Sequence, residues 1–184
     1  MITAMAFSAS KLEQVILFFL ERINNVHLGR TKLMKLLYYV DFGHYARHGR
    51  SVTGAIYRKL PHGPVPAQAK TLIKQMQEKG IVREVKVRVK EYAQHRLMAQ
   101  AKFDASKFSG DELLTLEKVA NEWEDCTAAQ IEASSHAEAP WAATKEGRVI
   151  DYELAHYRAP LGGEPLDAAL AKSSRFAAYV AALK

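Results

Sequence analysis

Residues 54–66 read GAIYRKLPHGPVP, a short alternation of apolar and polar residues that is followed by three prolines and one glycine. The prolines stiffen the backbone because each ring fixes φ, and Gly63 permits a turn that other residues resist. Such a stretch is more rigid and less polar than a linker. We interpret it as architectural: a strand ends at Pro61, Val65 anchors the extended segment in the core, and Pro66 starts a helix.

Helical periodicity is found on both sides of this stretch. Ahead of it, Ser10 and Glu13 have the spacing of a capping box, and Thr31 is a suitable N-cap for a second helix that ends at Gly49. After it, residues 81–103 alternate in hydrophobicity as a two-stranded hairpin does. The elements predicted for the N-terminal part are helices at 9–25, 31–49 and 66–79, a strand at 51–60, and the hairpin at 81–103.

The C-terminal half is predicted to be helical. Ser109 and Glu112 form a second capping box, and Thr127 caps a further short helix. The predicted fold class is therefore α+β: a mostly helical single domain with a small antiparallel β-sheet and a winged-helix-like N-terminal part. We place the domain at residues 1–160 and an Ala-rich helix, which packs on the domain or extends it, at residues 161–184.

Charge is distributed unevenly along the 184 residues. Residues 1–100 carry 17 Lys and Arg against 6 Asp and Glu, a net charge of +11, whereas residues 101–184 carry 9 against 14, a net charge of −5. The N-terminal half is therefore expected either to face an acidic partner, protein or nucleic acid, or to be a solvated basic surface. The single cysteine, Cys126, excludes an internal disulfide, and no apolar run approaches a membrane span or a signal peptide. These features predict a cytoplasmic protein with no membrane partner.

The sequence lacks the motifs of the common enzyme classes. It contains no glycine-rich nucleotide loop, no Walker-type loop and no nucleophile motif around a cysteine or serine. Asp41, His44 and His48 follow one another at helical spacing, but the sequence marks no further ligand, and we interpret them as a packed or solvated helix end rather than a metal site. We therefore predict a protein that is not an enzyme and that carries no metal and no cofactor.

DNA binding is an alternative that the predicted order of elements supports. Two helices, a strand, a third helix and a hairpin follow one another as in a winged helix-turn-helix. The third helix would offer Lys70 and Lys74 to phosphates, and the wing would offer Lys86 and Arg88. Against this interpretation, the connection between the second and third helices is long and proline-rich where a tight turn is expected.

Several blocks of the sequence together resemble one family. They are KLMKLLYYVDFGHY at 32–45, GRSVTGAIYRKL at 49–60, GPVP at 63–66, SH at 135–136, PW at 140–141 and GRVIDY at 147–152. Their order and spacing resemble the Panacea domain, also called the SocA-like antitoxin domain, over about residues 10–155. This resemblance implies an antitoxin that binds its cognate protein toxin directly or, in at least one type, delivers the toxin to a protease. It implies no catalysis and no cofactor, and it does not identify the toxin.

Aromatic and cationic side chains are the candidates for toxin binding. The tyrosines of the second helix are typical of half-buried positions with a hydroxyl at the surface, and the same chemistry makes them suitable interface anchors. The proline-stiffened segment would present its polar side chains to a partner at a low cost in entropy. The predicted partner-binding residues are Tyr38, Tyr45, Tyr57, Arg58, His62, Lys86 and Arg88.

Overall fold

The structure, a computed structural model, describes residues 6–89 and 92–158 of the chain. The Ala-rich helix predicted at residues 161–184 and the predicted domain boundary at residue 160 lie outside the described residues. The described helices are α1 (Ala9–Arg22), α2 (Arg30–His48), α3 (Ala69–Glu78), α4 (Gly110–Trp123), α5 (Ala128–His136) and α6 (Ala139–Ala142), with 3₁₀ turns at Ala105–Lys107 and Tyr152–Tyr157. The described strands are β1 (Tyr57–Leu60), β2 (Gly63–Pro66), β3 (Val82–Val89) and β4 (Tyr92–Ala99). The predicted mostly helical α+β fold is confirmed, and its strands form two separate antiparallel hairpins, β1–β2 and β3–β4.

Helix α2 forms the centre of the fold, and every residue from Lys32 to His44 is buried. It contacts α1, α4, α5 and strand β2, so its apolar side chains are needed on all faces rather than along one stripe. The Nζ of Lys32 donates hydrogen bonds to the backbone carbonyls of Glu124 and Cys126, at 2.8 and 2.6 Å. These carbonyls follow the C-terminal end of α4, where the helix dipole favours a cation. A lysine can therefore be buried in the centre of the fold.

The helix starts differ from the sequence prediction in two places. Helix α1 has Ser8 as its N-cap, with the side-chain oxygen accepting a hydrogen bond from the Lys11 amide at 3.2 Å, so the capping box predicted two residues later is wrong. Helix α2 has Gly29 rather than the predicted Thr31 as its N-cap, so its N-cap residue contributes no capping side chain. The predicted capping box of α4 and the Thr127 cap of α5 are confirmed.

The GPVP block is a strand, β2, so the helix start predicted at Pro66 is wrong. Strand β2 pairs antiparallel with β1, with Tyr57 opposite Pro66 and Lys59 opposite Pro64. The backbone groups of Tyr57 and Lys59 bond instead to residues 147–150 on the other side of β1. The missing N–H groups of the two prolines therefore break no hydrogen bond of the hairpin.

The carboxyl group of Asp41 joins α2 to strand β1. It is fully buried and accepts hydrogen bonds from the Thr53 amide at 2.7 Å, the Thr53 hydroxyl at 2.5 Å and the Tyr57 hydroxyl at 2.8 Å. Burial raises the pKa of Asp41 to about 6, although the hydrogen bonds from Thr53 and Tyr57 act in the opposite direction. The ring of Tyr57 is thereby held in the core, and the neighbouring side chains of the strand point to the opposite side.

We expect this buried carboxyl to lower the stability of the protein as the pH rises from about 4 to about 6. In that range the folded protein binds the Asp41 proton more tightly than the unfolded chain does, because burial has raised the pKa from 3.8. The unfolding free energy of the wild type, minus that of an Asp41→Asn variant, should therefore decrease by about 1 to 3 kcal/mol across this range. Urea denaturation at several pH values measures this difference.

His44 does not obscure that measurement, although burial lowers its pKa to about 4, because it titrates in both proteins and cancels in the difference. An exposed Glu146→Gln variant serves as the control and should follow the pH profile of the wild type. A difference that increases with pH would show that the hydrogen bonds to Asp41 outweigh its burial.

Two glycines have nearly the same φ but different surroundings, so substituting each one distinguishes the free-energy cost of backbone strain from the cost of close packing. Gly54 has φ 69° and Gly49 has φ 67°. An added Cβ would lie 2.6 Å from the Ala6 carbonyl oxygen at Gly54, but at Gly49 it would meet no described atom within 4 Å. A Gly49→Ala substitution should cost about 1 kcal/mol of unfolding free energy, from the left-handed backbone alone. Gly54→Ala should cost more, because the backbone at Ala6 must also move. Equal costs in urea denaturation would contradict this close approach.

Candidate partner-binding surface

One side of strand β1 faces solvent and carries exposed apolar side chains. Ile56 and Leu60 are 46% and 38% exposed and flank Arg58 along the chain, as the alternation of a strand requires once Tyr57 points inward. Val149 is 51% exposed and forms a β-bridge with Arg58. We call Ile56, Arg58, Leu60 and Val149 the outer face. Single exposed apolar residues are ordinary, whereas a group of them around one cation is typical of an interaction site.

A half-buried tryptophan lies at the edge of the outer face. The indole N–H of Trp141 donates a hydrogen bond to the Leu60 carbonyl at 3.3 Å, and the Lys59 ammonium lies 3.8 Å from the centre of its ring. His136 stacks on the same ring at 3.9 Å. Three contacts therefore hold the indole in place, and its partial exposure makes it a suitable anchor for a protein partner.

Two of the predicted contact residues lie on or next to the outer face. Arg58 is exposed, and its guanidinium donates a hydrogen bond to the Gly147 carbonyl at 3.1 Å. His62 lies in the turn between β1 and β2 with 82% of its side chain exposed, 3.3 Å from a carboxylate oxygen of Glu132. The prediction that they contact a partner remains a prediction, but both side chains are accessible.

Tyr38 and Tyr57 are fully buried and offer no surface to a partner in this structure. The Tyr38 hydroxyl, expected at the surface, donates instead to Glu138 at 2.7 Å, and the Arg158 guanidinium donates two hydrogen bonds to the same carboxylate, each 2.9 Å long. Burial raises the pKa of Tyr38 well above its ordinary value. Tyr38 lies in the core because α2 is covered on all sides, and Tyr57 lies there because its hydroxyl bonds to the buried Asp41, which the sequence pattern did not reveal.

The remaining predicted residues lie on other parts of the surface. Tyr45 is half-buried near the C-terminal end of α2, where its hydroxyl donates to Glu153, and burial together with this carboxylate raises its pKa to about 12. Lys86 and Arg88 are exposed on β3, in the other hairpin. Arg58 and His62 are therefore exposed on the same hairpin, while the exposed Lys86 and Arg88 lie on the other one.

Sequence reasoning did not select the three aliphatic residues of the outer face. The apolar alternation of Ile56 and Leu60 is visible in the sequence, but alternation does not say which side of a strand is buried. That choice depends on Tyr57, which Asp41 holds in the core. Val149 gave no signal, because its pairing with Arg58 joins segments that are far apart in the chain.

The three residues considered as metal ligands are engaged with other groups or with each other. Asp41 accepts hydrogen bonds from Thr53 and Tyr57. The Nδ1 of His44 shares a hydrogen bond of 2.9 Å with the Thr115 hydroxyl, and the His44 ring stacks on His48. Within residues 6–89 and 92–158, no group of three or more His, Cys, Asp or Glu side chains could hold a metal ion. In the same part of the chain, no helix has the length and hydropathy needed to cross a membrane.

Comparison with known proteins provides an independent line of evidence. Neither a search of the curated proteins nor a search of the solved structures found a match. A family model described as "Antitoxin SocA-like, Panacea domain" matches residues 33–142, more than half of the chain. The matched range runs from α2 through both hairpins to α6 and includes Ile56, Arg58, Leu60 and Trp141. The chain therefore belongs to the SocA-like antitoxin family that is defined by the Panacea domain.

Proposed function

We propose that this protein is an antitoxin that neutralises a cognate protein toxin by binding it directly through the outer face. The observation that supports this proposal is the group of exposed aliphatic side chains around Arg58, with the half-buried Trp141 at its edge. Tryptophan and arginine are enriched among the residues that dominate binding energy, and surrounding aliphatic groups exclude water from them. Family membership supports an antitoxin role and leaves the toxin unnamed.

The outer face is pre-organised for binding. Its central strand is bonded on one side to β2 and on the other to residues 147–150, and Asp41 fixes the orientation of Tyr57 beneath it. A partner that binds a rigid strand does not have to order it, so more of the contact energy appears as affinity. A standard interface covers about 800 Å² per partner, so the outer face and Trp141 would form its centre rather than its whole extent.

The charge of this region indicates the chemistry of the toxin. Arg58 and Arg148 are exposed and Lys59 is half-buried, which gives the region an excess of positive charge over the neighbouring Glu146. A complementary toxin surface would carry aspartate or glutamate around an apolar patch. Complementary charge raises the association rate and excludes wrong partners more than it raises affinity. The toxin would be inhibited by steric occlusion or by being locked in one conformation.

Placing a negative charge on the outer face should abolish neutralisation of the toxin. In cells that express this protein together with the product of the adjacent gene, Arg58→Glu and Val149→Asp should each lose growth rescue and weaken toxin binding at least tenfold, or about 1.4 kcal/mol. Lys86→Glu makes the same charge reversal on the other hairpin and should keep both rescue and binding. Growth, co-purification and isothermal titration calorimetry measure these effects, and circular dichroism verifies that each variant is folded.

The other outcomes discriminate among functions. Rescue accompanied by loss of the neighbouring protein would indicate an adaptor that delivers the toxin to a protease. Loss of rescue in Lys86→Glu but not in Arg58→Glu would place the interface on the β3–β4 hairpin. Absence of toxicity and of a complex, together with salt-sensitive binding to duplex DNA that requires Lys86 and Arg88, would replace the antitoxin proposal with DNA binding.

A further inference from the structure

A cavity of about 540 Å³ opens at the start of helix α2. It lies between this helix end, the β1–β2 hairpin, the β3–β4 hairpin and the start of α5. The volume falls within the range of about 300 to 1,000 Å³ that is typical of pockets for small organic ligands. The carbon groups of Met34, Val65, Ala93 and Ala128 form part of its wall. The cavity therefore has the size and the apolar lining of a ligand site.

Among the described residues, the ionisable side chains that line the cavity are basic: Arg30, Lys35, His62 and His95. Two acids lie close by without lining it. Glu84 is 3.1 Å from Arg30 and 3.7 Å from His95, and Glu132 is 3.3 Å from His62. These acids pair with the more exposed cations. Lys35 has no direct ion pair among the described residues, although the charge of Glu132 acts on it from a greater distance.

Lys35 is 1% exposed, yet its ammonium group makes one hydrogen bond within the described part of the chain, to the Pro64 carbonyl at 3.3 Å. An ammonium group has three N–H donors, so two donors remain for a ligand. Burial lowers the pKa of Lys35 to about 8, while the charge of Glu132 acts in the opposite direction. The group is therefore charged at neutral pH. A buried charge without a direct ion pair is unfavourable, and a bound anion would relieve that cost.

The first turn of α2 also lines the cavity and has backbone N–H donors. Gly29, Arg30 and Thr31 line it, and Gly29 is an N-cap without a side chain, so no side chain of residues 6–89 or 92–158 caps this 19-residue helix. These amides and the positive end of the helix dipole favour an anion. The side chain of Gln94 lies over Gly29, and its carbonyl oxygen is buried without a hydrogen-bond partner in the part of the chain that the structure describes.

We propose that this cavity binds a small organic anion that carries a carboxylate or a phosphate group. The oxyanion would accept hydrogen bonds from the Lys35 ammonium and from the first amides of α2. Its carbon skeleton would pack on Met34 and Val65. The carboxylate of a single Asp or Glu side chain from a protein partner would leave most of the 540 Å³ empty, which favours a free ligand. The inference does not rest on the proposed toxin binding, although Val65 is paired with Arg58 of the outer face.

The test is a nuclear magnetic resonance titration of the full-length protein with two probes, inorganic phosphate and glutarate. The amide signals of Gly29, Arg30 and Thr31 should shift and saturate with at least one probe, with a Kd on the order of 1 mM. Lys35→Met, which keeps the volume and removes the charge, should weaken binding at least tenfold. Lys70→Met removes a charge from the exposed face of α3 and should bind as the wild type does.

Because Lys35 is buried, its substitution can unfold the protein. A second variant, at an exposed position, therefore tests the same cavity. Ala93 is exposed on β4 and lines the cavity, so Ala93→Trp should block the entrance and abolish the shifts without disturbing the core. Met98→Trp, on an exposed position of the same strand outside the cavity, is its control. Saturation by phosphate alone would assign a phosphate ester, and saturation by glutarate alone would assign a carboxylate.

Three results would overturn the proposal. The first is the absence of a saturable shift with either probe. The second is a shift of equal size in the wild type, Lys35→Met and Ala93→Trp, which would reflect ionic strength rather than a site. The third is protection of the Lys35 ammonium in a toxin complex while neither probe binds the free protein, which would assign the cavity to an acidic side chain of the partner.

Discussion

The structure depends on the buried carboxyl group of Asp41. This group lies near the middle of the central helix and accepts hydrogen bonds from the Thr53 amide, the Thr53 hydroxyl and the Tyr57 hydroxyl. Because Tyr57 is fixed inward, the alternation of strand β1 must place Arg58 and its aliphatic neighbours outward. The hydrogen bond between Tyr57 and Asp41 in the core thus determines which side of strand β1 faces solvent. The burial of that carboxyl costs free energy, which the three hydrogen bonds offset in part.

Helix α2 shows two ways of burying a lysine. Lys32 donates to two backbone carbonyls beyond the end of α4, at 2.8 and 2.6 Å, so its charge faces the negative end of a helix dipole. Lys35, one turn further on, has one long hydrogen bond and lies beside a cavity. The contrast shows that the fold can give a buried ammonium group two short hydrogen bonds at the end of a helix. The single long hydrogen bond of the Lys35 ammonium group therefore reflects its position at the cavity and is not shared by every buried lysine of this fold.

The two hairpins have different surfaces although both are antiparallel. The β1–β2 hairpin is bonded on both sides of β1 and packs its inner face on α2, so its outer face is rigid and carries aliphatic residues around Arg58. The β3–β4 hairpin exposes Lys86 and Arg88, as solvated strands commonly do. A protein partner gains affinity from a rigid apolar surface with a central cation, whereas isolated surface charges contribute little. This difference is the reason that we place toxin binding on the first hairpin.

The sequence by itself determined the family, the helical α+β class and most element positions, because capping residues, periodicity and the conspicuous proline block act over a few neighbouring residues. The prediction that GPVP leads into a helix at Pro66 was wrong. An extended, proline-rich segment is compatible with a strand or with a helix start, and the sequence does not show the partner strand that distinguishes them. Only the tertiary structure decided that Tyr38 and Tyr57 are buried, that Ile56 and Val149 share a face with Arg58, and that Lys35 lies at a cavity. These facts depend on contacts between distant segments, such as the hydrogen bond from Tyr57 to Asp41 and the bridge between Arg58 and Val149. Local pattern carries no information about such contacts, because either side of an amphipathic strand can face the core until something covers it.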